Sequence, residues 1–346
     1  MLICITLIFL ISMTASFAAT DENVQLNTTK TDEISLDDKS NDELLQEENE
    51  QIDKNDELVA VGGGGEDKLA ETPGSFTDLI TLYSNSDDSM ELNRNYTWDY
   101  GDQSNNIIID KEFTVNGNGS TIDAKSNNYG ALGIFYIKTS SKVIFNNIIF
   151  TGFSNHAVYF KLDANFEFNN CTFINNLIQT TNNGAAIYFE NKVTQGTFNN
   201  VNFTNNQLKA AKYDSFGGAI YYKSNVENTR YINCNFTDNF VSGKGGAIYI
   251  GGNSIGNTYV NTTFRDNKVE SNKHSGGGAI YVNGESTNDE YDNVTFEGNT
   301  VTGFYVSNTQ NPYIYAGGAL YFNGKVDNLN FKRTDFISNI VNPQGL

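Results

Sequence analysis

Two short blocks recur six times in alternation and limit what this chain can fold into. The first reads Gly-Gly-Ala-Ile-Tyr, or close to it, and sets its alanine at Ala157, Ala186, Ala219, Ala247, Ala279 and Ala319. The second reads Phe-x-x-Asn-x-aliphatic and begins at Phe173, Phe203, Phe236, Phe264, Phe296 and Phe336. From each alanine to the next phenylalanine is 17 residues in five cases and 16 in the first. The return interval varies, at 13, 16, 11, 15 and 23 residues. One constant and one variable arc per repeat is the pattern of a solenoid coil. Packed strands hold their length while insertions leave from a single edge.

Alternation gives the coil its inside and outside. After each alanine come Val158, Ile187, Ile220, Ile248, Ile280 or Leu320, and two residues further Phe160, Phe189, Tyr222, Ile250, Val282 or Phe322. Apolar residues at period two mark the inward face of a strand. The second strand behaves likewise, with Val201, Cys234, Thr262 and Val294 two residues before a phenylalanine. Stacked coils bring equivalent residues to about 4.8 Å, so each position becomes a ladder along the axis. Cys171 and Cys234 fall in one column two coils apart, too far for a disulfide, and read as small core residues. The asparagine three after each phenylalanine (Asn176, Asn206, Asn239, Asn267, Asn299, Asn339) predicts a structural ladder at a turn. Its amides would bond turn backbone and one another.

Composition agrees with many short strands and tight turns. Only 38% of residues are hydrophobic, while 51 are Asn, 31 Gly and 3 Pro. Asn and Gly weaken helices and tolerate positive φ. The formal charge of −19 argues against a nucleic-acid binder, which needs a basic face. Residues 20–71 hold most of that charge, with 17 Asp/Glu against 4 Lys.

The apolar run Leu2–Ile11, followed by small residues with Ser16 and Ala18, predicts a signal peptide over 1–18 that lacks the usual positive start. Residues 19–71 read as an acidic disordered spacer. Within them, 62–70 carries one Gly-Gly-x-Gly-x-Asp-x-Leu-x nonapeptide, a calcium motif that needs several stacked copies and so reads as linker. Ser75–Tyr83 has helical spacing and predicts a helix that caps the apolar end of a solenoid over 72–346. Met90–Leu92, Ile107–Ile109, Phe113–Val115 and Val143–Phe150 read as early, irregular coils. The sequence stops just after a Phe-x-x-Asn block, which predicts a truncated C-terminal end. No transmembrane span is expected in the mature chain.

The Gly-Gly-Ala-Ile and Phe-x-x-Asn blocks resemble the repeats of chlamydial polymorphic membrane proteins. With Phe76-Thr77-Asp78-Leu79 and the strand Thr114–Asp123, the layout over about 74–346 looks more like the adhesin-like surface proteins of methanogenic archaea. That resemblance implies an all-β fold, a right-handed parallel β-helix of the pectin-lyase-like class, displayed on the cell surface. Proteins of that kind often carry Ig-like repeats, wall-binding modules or a membrane anchor downstream of such repeats.

Candidate contacts lie on the outer surface. Tyr159, Tyr188, Tyr221, Tyr249, Tyr281 and Tyr321 follow the alanine block and point outward; an exposed column would stack on sugar rings, a covered one would only shield the sheet. The longest insertion, 302–316, adds Phe304, Tyr305, Tyr313 and Tyr315 to the ligand-binding candidates. An enzyme on such a fold needs clustered carboxylates. Asp238 and Asp266 share a column in adjacent coils, with Arg265 beside them, and carboxylates about 5 Å apart suit acid/base work or calcium. The same column holds Asn175, Asn205, Gly298 and Ser338, which reads as ordinary polar edge. His156 and His274 have no nucleophile at a readable spacing. Eight Asn-x-Ser/Thr sequons are further candidate modification sites. The expectation is a secreted or cell-surface, non-enzymatic adhesin without cofactor or metal, calcium being the one ion the residues allow. Its partners would be glycans or surface proteins of other cells. A polysaccharide lyase or hydrolase and a passive wall element are the alternatives.

Overall fold

The computed structural model describes residues 70–344 apart from 103–105, 127–132, 180–182, 211–214 and 305–313. The leader expected at 1–18 and nearly all of the spacer expected at 19–71 lie outside the described residues, as do Tyr305 and Tyr313.

The coil around Ala219 shows how the repeat is built. Ile220–Tyr222 joins an eight-stranded sheet. Val226–Glu227, Thr229–Ile232 and Asn235–Thr237 then run through a 21-stranded sheet. Phe240–Val241 enters a six-stranded sheet, and Gly243–Lys244 returns the chain to the next alanine block. The steps in the three larger sheets pair in parallel with the coil above, as Tyr221↔Tyr249, Tyr231↔Tyr259, Phe236↔Phe264 and Val241↔Val269, while Gly243–Lys244 pairs with Ser215–Phe216 of the coil below. The alternation read from sequence is the core: Ile220, Tyr222, Val226, Tyr231, Cys234 and Phe236 are fully buried. Aromatic columns run along the axis, with Phe173, Phe203, Phe236, Phe264, Phe296 and Phe336 stacked at centroid spacings of 4.7 to 5.0 Å.

The asparagine ladder is present and complete. Each amide donates to the next coil's amide oxygen, from Asn176 through Asn206, Asn239, Asn267 and Asn299 to Asn339, at 2.8 to 3.0 Å. The second amide hydrogen goes to a phenylalanine carbonyl of the coil below, as Asn267 to Phe236. Five of the six oxygens also accept a backbone N–H, as Asn267 does from Asn239. Asn239, Asn267 and Asn299 make four bonds each, and no buried amide atom of the ladder is left unpaired, which is what such a site requires. Cys171 and Cys234 are free and buried, and burial pushes both thiols up to about 12.

Left-handed backbone turns the corners. Asn175, Asn205, Asp238, Asp266 and Ser338 have φ between 52° and 57°, and Gly298 joins them at 65°. These are residue types that tolerate this region. The alanine block needs its glycines for closeness as well. A Cβ on Gly246 would lie 1.9 Å from the Gly278 carbonyl and 2.9 Å from the Lys268 nitrogen, so backbone packs directly on backbone.

The helix Phe76–Ser84 covers one end of the solenoid. Ser75 and Asp78 form a reciprocal capping box, and Phe76 and Leu79 are buried against the core. The early coils expected from sequence are strands Ser89–Glu91, Ile107–Ile109, Phe113–Asp123 and Lys142–Thr151. No helix among the described residues is long and apolar enough to cross a membrane.

Candidate functional site

The tyrosine column points away from the core but is not an exposed row of phenols. Tyr221, Tyr249 and Tyr281 are buried, while Tyr159, Tyr188 and Tyr321 are half-buried. The variable arc, on leaving the six-stranded sheet, folds back across this face. Phe216 stacks on Tyr249 at 4.6 Å, and the Lys244 ammonium sits 5.0 Å over the Tyr281 ring. Along the axis the rings occupy one another's faces, Tyr159 on Tyr188 at 4.7 Å and Tyr281 on Tyr321 at 4.8 Å. Sugar stacking on these faces is therefore blocked, and burial raises the Tyr221, Tyr249 and Tyr281 phenols. Sequence reasoning missed a seventh member, Tyr136, which packs on Tyr159 at 5.2 Å. The alternation Phe135-Tyr136-Ile137 would have revealed it, but the glycine-alanine block is absent there. Tyr315 of the long insertion folds against the minor core of Ile178, Leu208, Val241, Val269 and Val301. Its hydroxyl donates to the Phe304 carbonyl at 3.1 Å.

The six-stranded sheet instead opens a groove of about 660 Å³ on the outer surface. Three coils line it: Asn205, Gln207 and Lys209, then Asp238 and Phe240, then Asp266, Lys268 and Glu270. The left-handed corners hold Asn205, Asp238 and Asp266 in one column, and the outward strand positions hold Gln207, Phe240 and Lys268 in the next. Phe240 is half-buried, with the Lys209 ammonium 5.8 Å over its ring. Lys268 pairs with Glu270 at 2.5 Å. Asn205 donates to Asn175 at 2.7 Å and accepts from Gln207.

Asp238 and Asp266 are brought together as the sequence predicts. Partial desolvation and the Asp266 charge hold the Asp238 carboxyl above the usual range. Arg265 is not part of this pair; it pairs with Glu297 of the next coil at 2.8 Å. A guanidinium so engaged on exposed strand is no free base. No group of three or more His, Cys, Asp or Glu with metal-binding geometry occurs among the described residues. His156 is buried between Tyr159 and Tyr188, with Nδ1 2.8 Å from the Gly184 carbonyl, so it packs the interior rather than a site. His274 lies by the long insertion, where Nδ1 accepts from Ile314 N at 2.8 Å.

Parallel coils, an internal amide ladder and a lateral groove define a parallel β-helix. Residues 132–318, more than half of the chain, match the right handed beta helix region family, and the chain belongs to that family. No curated protein and no solved structure matches it.

Proposed function

We propose that this chain is a secreted or cell-surface, non-enzymatic glycan-binding β-helix, with the groove over Asn205–Glu270 as its contact face. The groove carries the reading: it runs along the axis, as an extended polymer would. It offers an aromatic side chain, amides and carboxylates at one-coil intervals of about 4.8 Å. Phe240 supplies apolar contact, and Asn205, Gln207 and the Asp238 and Asp266 carboxylates supply hydrogen-bonding groups for hydroxyls. Displayed on a cell surface, such a groove would serve as an adhesin for the glycans of other cells.

One observation favours polysaccharide cleavage as a second reading. Asp238 and Asp266 are adjacent carboxylates, and the raised Asp238 carboxyl suits a general acid. The full chain incubated with a panel of neutral, acidic and amino polysaccharides, with and without calcium, separates the two. Retention without new reducing or unsaturated ends is expected. Release of such ends would establish cleavage, and neither signal would leave a structural role.

A further inference from the structure

One ridge of the solenoid gathers the Asn-x-Ser/Thr sequons. Seven lie among the described residues, and six of them fall in two neighbouring columns. Asn170, Asn261 and Asn293 occupy a left-handed corner. Asn95, Asn202 and Asn235 stand in the next outward column, in register with Thr172, Thr263 and Thr295. The five coils from Asn170 to Asn293 carry one sequon each, although its register moves by two residues between them. Five of the six asparagines are exposed and Asn202 is half-buried, and the threonine of every one of these sequons keeps part of its surface open. Among the described residues each of these amide nitrogens spends at most one of its two hydrogens. Asn235 donates to Asn202 at 2.9 Å, Asn261 to Asn233 at 3.1 Å and Asn293 to Asn261 at 2.9 Å. A sugar attached to the nitrogen replaces one hydrogen and leaves the other, so these bonds survive the modification.

Asn118 is the contrast. Its nitrogen donates to Glu91 Oε2 and to the Leu92 carbonyl, both at 3.2 Å, so both hydrogens are in use. A register shift between Asn116 and Ser120 turns the hydroxyl of this sequon inward, where Ser120 is fully buried. We infer that the ridge is a row of asparagine-linked glycan sites at Asn95, Asn170, Asn202, Asn235, Asn261 and Asn293, and that Asn118 stays bare. The co-reactant is a lipid-linked oligosaccharide. The asparagine Nδ2 bonds to its anomeric carbon and gives up one proton, while the bond from that carbon to the lipid phosphate breaks and the phosphate leaves with the electron pair. This rests on the secreted reading, because sequons are acceptors in exported chains.

The test expresses two forms, the full chain and residues 19–346 behind the host's own leader, in a secretory host that attaches such glycans. Protein recovered outside the cells is stripped of glycans enzymatically in heavy-oxygen water, which labels each formerly modified asparagine, and the sequon peptides are read by mass spectrometry. Occupancy at each of the six ridge sites is expected to exceed that at Asn118 by about tenfold or more. Thr237→Val should empty Asn235 and leave the other ridge sites filled, since Asn235 keeps its place in the column. An exported chain with an unmodified ridge, or with Asn118 filled as fully as the ridge, would overturn the inference and leave secretion standing. Export only behind the host's leader would overturn the reading of residues 1–18, while the ridge peptides still decide the modification. Retention of both forms inside the cells would overturn the secreted reading and the inference with it.

Discussion

Removing one rung from the middle of the asparagine ladder should cost far more than removing the last. Asn267 donates to the Phe236 carbonyl at 2.8 Å and to Asn299 Oδ1 at 2.9 Å. Its oxygen accepts from the Asn239 backbone N–H at 3.2 Å and the Asn239 amide at 2.9 Å. Asn267→Ala deletes all four bonds and strands two buried donors on Asn239. No water reaches them, since Asn239 and Asn267 are fully buried. A stranded buried donor costs about 1–3 kcal/mol, so two cost about 4 kcal/mol before any cavity is counted. Asn339→Ala breaks comparable bonds to Asn299 and Phe296, but Asn339 is only half-buried and solvent replaces them. Its cost should stay near 1 kcal/mol. Urea unfolding of wild type, N267A and N339A, followed by far-UV circular dichroism, reads the difference directly. Equal losses at the two positions, or a loss under about 1 kcal/mol at Asn267, would refute the claim that buried amide satisfaction holds the coils together.

Three further outcomes follow from other rungs and columns. Burial lowers His156 from 6.5 to about 4, so the unfolded chain takes up its proton first as pH falls. Stability present above pH 6.5 should be lost down to about pH 4, by about 3 kcal/mol, and His156→Gln should remove that component of the pH dependence of the urea midpoint. Asp289 is buried, accepts from Asn257 N at 2.8 Å and Ser286 Oγ at 2.6 Å, and has its carboxyl raised chiefly by desolvation. Asp289→Asn would repeat the arrangement of Asn257 one coil below, and should stabilise the fold by about 1 kcal/mol at pH 7 with a smaller gain in acid, read from thermal midpoints. Tyr249→Ala should cost about 3 kcal/mol in urea unfolding. It should leave glycan retention unchanged, because that ring lies under Phe216 and away from the groove.

The coil was legible because its constraints are local and repeat. A left-handed corner favours Asn, Asp or Gly, with Ser338 the exception in this column, and the amide ladder holds Asn at every rung, so each coil spells nearly the same letters. The helix was also legible, its expected Ser75–Tyr83 lying within a residue of Phe76–Ser84 at either end. A second polar ladder was not, because Thr229, Asn257 and Asp289 share a column yet differ in kind. It is visible only through bonds such as Thr229 N to Asn257 at 2.8 Å. Nor could alternation say what covers an outward face: it set the tyrosines outside, and the variable arc, whose length and letters change at every coil, then buried them. The groove was half legible. Asp238 and Asp266 were found from their column, whereas Gln207, Phe240 and Lys268 share a position but no chemistry. Arg265 was misplaced because adjacency in sequence says nothing of Glu297, which lies one coil away.

The central claim is that the groove holds a polysaccharide and does not cut it. Calorimetric titration of the full chain and Phe240→Ala with the best-retained panel member, with end groups assayed on the same samples, tests it most directly. The account predicts binding weakened at least tenfold by Phe240→Ala and no new reducing or unsaturated ends with either protein. Undiminished binding by the variant, or new ends released by the wild type, would contradict it.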